Sequence, residues 1–178
     1  ALADVFTIGE HLGDLRGAVV TFVGDGNNVY HSLALVGAAM GMEVRLAHPP
    51  RYAPDERIVA RARELAERSG GRLVFGSDPY ELVRGTAIVY TDAWTSMGQE
   101  AETEARRDAF AAYRLDDALL DAAGPRAMAM HCLPAHRGEE ITSAVMDGPR
   151  SLIFEQSENR LHVQKALLVA LLGDPGAP

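Results

Sequence analysis

The sequence predicts an α/β domain, a doubly wound parallel sheet of five or six strands with helices on both faces. Three observations carry this expectation. Apolar runs of strand length recur at residues 18–23, 43–47, 72–75, 87–91, 127–130 and 151–154. Longer stretches with helical periodicity lie between most of them, the order expected of a parallel sheet. Gly- or Pro-containing turns punctuate the junctions, among them Gly24-Asp25-Gly26, His48-Pro49-Pro50, Gly70-Gly71 and Gly124-Pro125.

The chain has 178 residues, which suits one domain. Its 17 Lys and Arg against 25 Asp and Glu give a formal charge of -8 and no basic cluster, so no nucleic-acid footprint is expected. A single cysteine forms no internal disulfide and suits a reducing, cytoplasmic setting. The sequence holds neither a signal peptide nor an apolar run of about 18 residues, so no membrane partner is expected.

Residues 1–12 read as a helix with Leu2, Val5, Phe6 and Leu12 near one face and Gly13 as its stop. It starts without a capping residue, so a longer parent protein is expected. Residues 18–23 are a strand covered on both faces. The turn Gly24-Asp25-Gly26-Asn27-Asn28 and a helix over 29–40 follow. Such a unit is expected to offer backbone N–H groups to a ligand. A dinucleotide-binding module would need a third glycine near Val29, and it is absent.

After the second strand, residues 55–69 form a charged amphipathic helix, and Asp78 and Pro79 open a short one. The strand at 87–91 delivers Asp92-Ala93-Trp94-Thr95-Ser96-Met97-Gly98-Gln99-Glu100. In the plain structural reading Asp92 caps a turn and Trp94 plugs the core. Residues 102–123 are helical in two pieces that join near Tyr113. The strand at 127–130 ends in His131-Cys132-Leu133-Pro134-Ala135-His136-Arg137-Gly138. A helix near 141–146, a last strand at 151–154 and a terminal helix opened by Ser157-Glu158-Asn159-Arg160 complete the chain. Arg160 then sits in a first helical turn, where a cation opposes the helix dipole unless an anion is near.

Three strand ends thus carry polar clusters where an open α/β sheet binds its ligands. Asp92 suits an ammonium group, the asparagines a carboxylate or carbonyl, and Arg160 an anion or developing oxyanion. Cys132 offers a thiol. His131 is its neighbour, but adjacent strand residues point to opposite faces, which weakens any cysteine–histidine nucleophile. His131, Cys132 and His136 are also plausible soft metal ligands, without an evident fourth.

In sequence order these clusters resemble the C-terminal, amino-acid-binding half of ornithine carbamoyltransferases. The resemblance rests on the motifs at 24–28, 92–100, 131–138 and 158–160 and spans nearly the whole chain. It implies transfer of a carbamoyl group from carbamoyl phosphate to the δ-amino group of L-ornithine, with no cofactor and no metal. It implies that Asn28 (Asn27 is the alternative), Asp92, Ser96 and Met97 hold ornithine. Cys132 would lie near the δ-amino group, Cys132, Leu133 and Arg160 would contact carbamoyl phosphate, and Cys132 and Arg160 would be catalytic. A putrescine- or aspartate-using relative is the alternative within the family. The family's N-terminal phosphate-binding motifs, Ser-Thr-Arg-Thr-Arg and His-Pro-x-Gln, do not occur here. The resemblance therefore implies one ornithine-binding domain over 1–178, with helices 1–13 and 157–173 of the kind that pack between halves. The parent is expected to be a homotrimer or a multiple of trimers.

Overall fold

The computed structural model describes residues 1–95 and 100–173. The elements are helix α1 (Leu2–Leu12), strand β1 (Val19–Val23), α2 (Asn28–Ala39), β2 (Glu43–Ala47), α3 (Glu56–Ser69), β3 (Arg72–Gly76), α4 (Pro79–Leu82), β4 (Ile88–Thr91), α5 (Thr103–Phe110), α6 (Asp117–Ala123), β5 (Met128–His131), α7 (Ser143–Met146) and α8 (Ile153–Leu172). The five strands lie in the order β3-β2-β1-β4-β5, and every pairing is parallel.

Strand alternation sorts the core into two layers. Val20, Phe22, Val44, Leu46, Ile88 and Tyr90 pack with Val5 and Ile8 of α1, Leu33 of α2 and Ala62 of α3. Val23, Ala47, Val89 and Ala129 point the other way, toward Val83, Phe110, Leu119, Leu120 and Val145. Because both faces are covered, strand residues such as Val20, Phe22 and Val89 are wholly buried. No helix of the described residues is long and apolar enough to cross a membrane.

Helix stops and starts follow local chemistry. Gly70 ends α3 in the left-handed conformation, and Asp55 and Asp78 accept backbone N–H bonds at the starts of α3 and α4. Asn27 caps α2 through Val29 N–H and Tyr30 N–H.

The structure corrects two expectations. Residues 151–154 are not a sixth strand: Ser151 makes an isolated parallel bridge to Ala129, and α8 begins at Ile153. A four-residue Ser-Leu-Ile-Phe run has the composition of a strand, but the buried residues of α8 are Ile153, Gln156 and Asn159, a helical spacing. Arg160 is consequently well inside α8 rather than in its first turn, and the helix-dipole argument for it lapses.

The Gly-rich turn also differs from expectation. Gly24 N–H donates to Ala47 O and Gly26 N–H to Tyr52 O, while Asn27 takes the first free N–H groups of α2. At Gly26 a Cβ would lie 2.4 Å from Pro54 N, so the segment after β2 packs directly on the turn. The glycine serves that close approach, and the turn offers a ligand none of the N–H groups at Gly24, Gly26, Val29 or Tyr30.

Candidate functional site

The sheet order reverses between β1 and β4, and ligands of open α/β sheets bind beside that point. There the segments after β1 and β4 meet. Asn27 Nδ2 donates to Asp92 Oδ2 at 2.9 Å, and Cys132 Sγ, just past β5, donates to Asp92 Oδ1 at 2.9 Å. Ala93 N–H adds a third bond to the same carboxylate at 2.8 Å. Asp92 is thus held by all three strand ends rather than only capping its own turn. Trp94 follows the plain reading, buried and stacked near Phe110 at 6.2 Å between centroids.

A cleft of about 760 Å³ opens over this cluster. Asp4 of α1, Asn28 of α2, Asp92, Cys132, Leu133 and Arg160 of α8 all contribute to its walls. Asn27 has its amide oxygen on the helix cap and its NH2 on Asp92, whereas Asn28 is exposed on the cleft. Of the two asparagines, only Asn28 has an amide without a partner among the described residues. Arg160 is exposed and has no hydrogen bond or ion pair among the described residues. Ser96 and Met97 lie outside the described residues.

Burial pushes the Cys132 thiol well above its usual range, and the neighbouring Asp92 charge pushes it further the same way. A reactive cysteine needs the opposite environment, one that favours thiolate. Cys132 thus donates to Asp92 in surroundings that favour the neutral thiol.

Beneath the cleft, sequence reasoning missed a buried pair. His131 and Glu140 are both inaccessible to solvent, with His131 Nε2 at 3.1 Å from Glu140 Oε1. Leu133 N–H donates to His131 Nδ1 at 2.8 Å, which leaves the ring proton on Nε2, aimed at Glu140. His136 N–H also donates to Glu140. Burial alone would raise the Glu140 carboxyl, but the bonds from His131 and His136 outweigh it and hold it below the ordinary range. Leu133 has φ 57°, unfavourable for a leucine, and its bond to His131 helps hold it there. The two buried side chains therefore shape the loop that presents Cys132 and Leu133.

Asp4 was missed as well. It accepts from Tyr90 Oη at 3.3 Å and from Gln156 Nε2 at 2.8 Å on the cleft floor. An aspartate in a first helical turn reads as a dipole partner, so nothing in the sequence marked it.

A metal ion is the other chemistry to weigh. Ligand atoms of Asp92, His131 and Cys132 lie within 4.8 Å of one another. Both His131 nitrogens are already engaged, so coordination there would break the Leu133 or the Glu140 bond. His136, the third ligand considered from sequence, is instead an exposed side chain whose Nδ1 is 3.6 Å from Glu140 Oε2.

Residues 16–171 match the model of the aspartate/ornithine carbamoyltransferase Asp/Orn binding domain. Among curated relatives, the ornithine carbamoyltransferase of Gloeobacter violaceus is 53% identical over 172 residues, covering 97% of this chain and 55% of that protein. The enzyme of that name from Acidothermus cellulolyticus is 53% identical over 176 residues, 99% of this chain and 56% of the relative. A crystal structure of the Gloeobacter violaceus enzyme superposes with TM-score 0.88 at 48% identity over 96% of this chain and 57% of that one. The Pyrococcus furiosus ornithine carbamoyltransferase gives 0.90 at 48% identity, covering 94% and 53%. The chain spans about half the length of the relatives it matches. With the family model matched over most of its length, this chain belongs to the aspartate/ornithine carbamoyltransferases, as their Asp/Orn-binding domain.

Proposed function

We propose that the whole protein transfers the carbamoyl group of carbamoyl phosphate to the δ-amino group of L-ornithine, giving L-citrulline and phosphate. One observation carries this reading. The cleft sets a carboxylate and a protonated thiol, Asp92 and Cys132, in the same cavity as Arg160, an arginine without a partner among the described residues. An amine nucleophile and an anionic carbamoyl donor are the two reactants that such a pair suits.

In this reading Asn28 and Asp92 hold ornithine, together with Ser96 and Met97. The δ-ammonium, with an amine pKa of about 10, has to lose a proton to solvent before its nitrogen attacks, and the attacking nitrogen's second proton leaves with the phosphate. Asp92 attracts the ammonium, and Cys132 orients the nitrogen as a polar neighbour without forming a covalent intermediate. Attack builds negative charge on the carbamoyl oxygen, which Arg160 and the backbone around Leu133 stabilise before phosphate leaves. Fixing the two reactants side by side supplies much of the acceleration. No cofactor enters these steps.

The reading assigns carbamoyl-phosphate binding mainly to a second, N-terminal domain, since this chain accounts for only 55% of its relative from Gloeobacter violaceus. That domain would cover α1 and α8, whose Leu2, Phe6, Leu161 and Leu168 are exposed. A cytoplasmic homotrimer, or a multiple of trimers, in arginine metabolism completes the proposal. The test is citrulline formation by the full-length protein, with ornithine, N-acetylornithine, putrescine and aspartate offered in parallel. A higher kcat/KM for any acceptor other than ornithine would overturn the substrate assignment.

A further inference from the structure

One buried charge lies outside everything the carbamoyl-transfer reading uses. Arg106 of α5 is 4% exposed. Its guanidinium lies over two rings, with Cζ 4.8 Å from the Tyr52 centroid and 5.3 Å from that of Phe110. Nε donates to the Trp94 carbonyl, Nη2 pairs with the Asp25 carboxylate, and Nη1 faces Glu102 at 3.7 Å.

The two main acceptors locate its task. Asp25 belongs to the turn after β1, two residues before Asn27; Trp94 belongs to the segment after β4, two residues beyond Asp92. These two segments touch at the cleft through the 2.9 Å bond from Asn27 to Asp92. Arg106 joins the same two segments a second time, through residues outside the cleft lining. Two ties at separate points restrict both the separation and the relative rotation of the pieces that carry Asn28 and Asp92.

A buried ion is a poor way to gain stability, because desolvation cancels most of the attraction and a well-packed apolar side chain often does as well. Its particular contribution is geometry. A planar guanidinium can lie flat on Tyr52 and Phe110 while sending divergent N–H bonds to a carboxylate and a carbonyl. Lysine, a compact point charge, cannot satisfy both acceptors in that plane.

We infer that Arg106 is a positioning residue for the amino-acid acceptor: it acts through Asp25 and the Trp94 carbonyl to set Asp92 against Asn28. The inference rests on the ornithine reading above. It implies that ornithine recognition depends on a side chain that never touches ornithine.

The test uses the full-length protein with Arg106→Lys, Arg106→Met, Asp25→Asn and the double variant Arg106→Met/Asp25→Asn, which leaves neither charge unpaired. Arg106→Lys is expected to raise the KM for ornithine at least tenfold while the KM for carbamoyl phosphate stays within twofold. The double variant is expected to lose no more ornithine affinity than the worse of its two single variants, since both break one tie. An unchanged ornithine KM with only a lowered Tm, or equal rises for both substrates, would make Arg106 a plain stability element. Additive losses in the double variant would equally overturn the inference.

Wild-type protein that forms no citrulline with any acceptor sinks the enzymatic reading separately. The tie itself is then decided on the 178-residue chain through Trp94, its sole tryptophan. Red-shifted, more quenchable emission in Arg106→Lys supports the tie; emission identical to wild type refutes it.

Discussion

Replacing Asp92 with asparagine separates the functional role of this carboxylate from its structural one. Asp92 Oδ1 accepts from both Cys132 and Ala93, and Oδ2 accepts from Asn27. Asparagine can keep its oxygen at the first position, but its NH2 then faces the NH2 of Asn27. One hydrogen bond to a charged acceptor disappears, at a cost of about 1.5–3 kcal/mol. Asp92 is only half-buried, so the lower end applies. For a protein of this size that lowers Tm by roughly 3–6 °C.

The effect on ornithine is larger in consequence. Truncating one partner of a buried charge pair costs about 2–5 kcal/mol. In an open cleft the lower part of that range applies, about 2–3 kcal/mol, or roughly a 30- to 160-fold loss of kcat/KM for ornithine. Steady-state kinetics with each substrate varied in turn, beside a thermal melt, reads both effects. The KM for carbamoyl phosphate is expected to hold. Unchanged ornithine kinetics with a lowered Tm would show that Asp92 merely caps a turn, and the ammonium assignment would fall.

Four further outcomes follow from the same geometry. Cys132→Ser keeps measurable turnover, because serine still donates to Asp92; rapid-quench trapping of a carbamoylated cysteine would refute that role. The wild-type thiol, raised by burial and then by Asp92, is expected to alkylate with iodoacetamide more slowly at neutral pH than a free cysteine. Glu140 titrates below its ordinary value of 4.5 in the folded state, so its contribution is present above that pH and lost as pH falls through the lower folded value. Glu140→Gln should lower stability by about 1.5–3 kcal/mol at neutral pH and flatten the acid limb of a Tm-against-pH profile; parallel profiles for the two proteins would count against the pairing. Expressed alone, the 178-residue chain should fold, self-associate through Leu161, Leu168, Leu171, Leu172, Leu2 and Phe6, and make no citrulline. A strictly monomeric, active chain in light scattering and a citrulline assay would contradict this.

The sequence made the sheet legible because parallel strands buried on both faces are apolar along their length and carry their own helices between them. The motif clusters were legible for a related reason, since polar residues at strand ends have no packing role that would place them there. The start of α8 was not legible. Leu152 and Ile153 suit a strand as well as a helix, and only the three-residue spacing of the buried Ile153, Gln156 and Asn159 decides for the helix. Charges hidden under the site were the least visible. Glu140 follows Gly138-Glu139 in what looks like a solvated turn, and its burial depends on His131, nine residues away in sequence. Arg106 stands beside Arg107, which is exposed and paired with Glu139; composition gives no sign that the two neighbours have opposite surroundings. The one local hint is the Arg106–Phe110 spacing, which stacks the two on one helix face.

The carboxamide of Gln156 has a mechanical consequence. Its Oε1 accepts from His131 N–H at 3.0 Å, and its Nε2 donates to Asp4 Oδ1 at 2.8 Å and to Tyr90 Oη at 3.0 Å. One small planar group thereby bolts α8 to α1, to β4 and to the strand that ends at His131. A glutamate of the same shape would lose both donors and set one carboxylate against another, so the joint requires an amide. Force applied to the end helices by whatever packs on them is delivered to the Met130–His131 peptide, one residue before Cys132, without passing through a flexible linker.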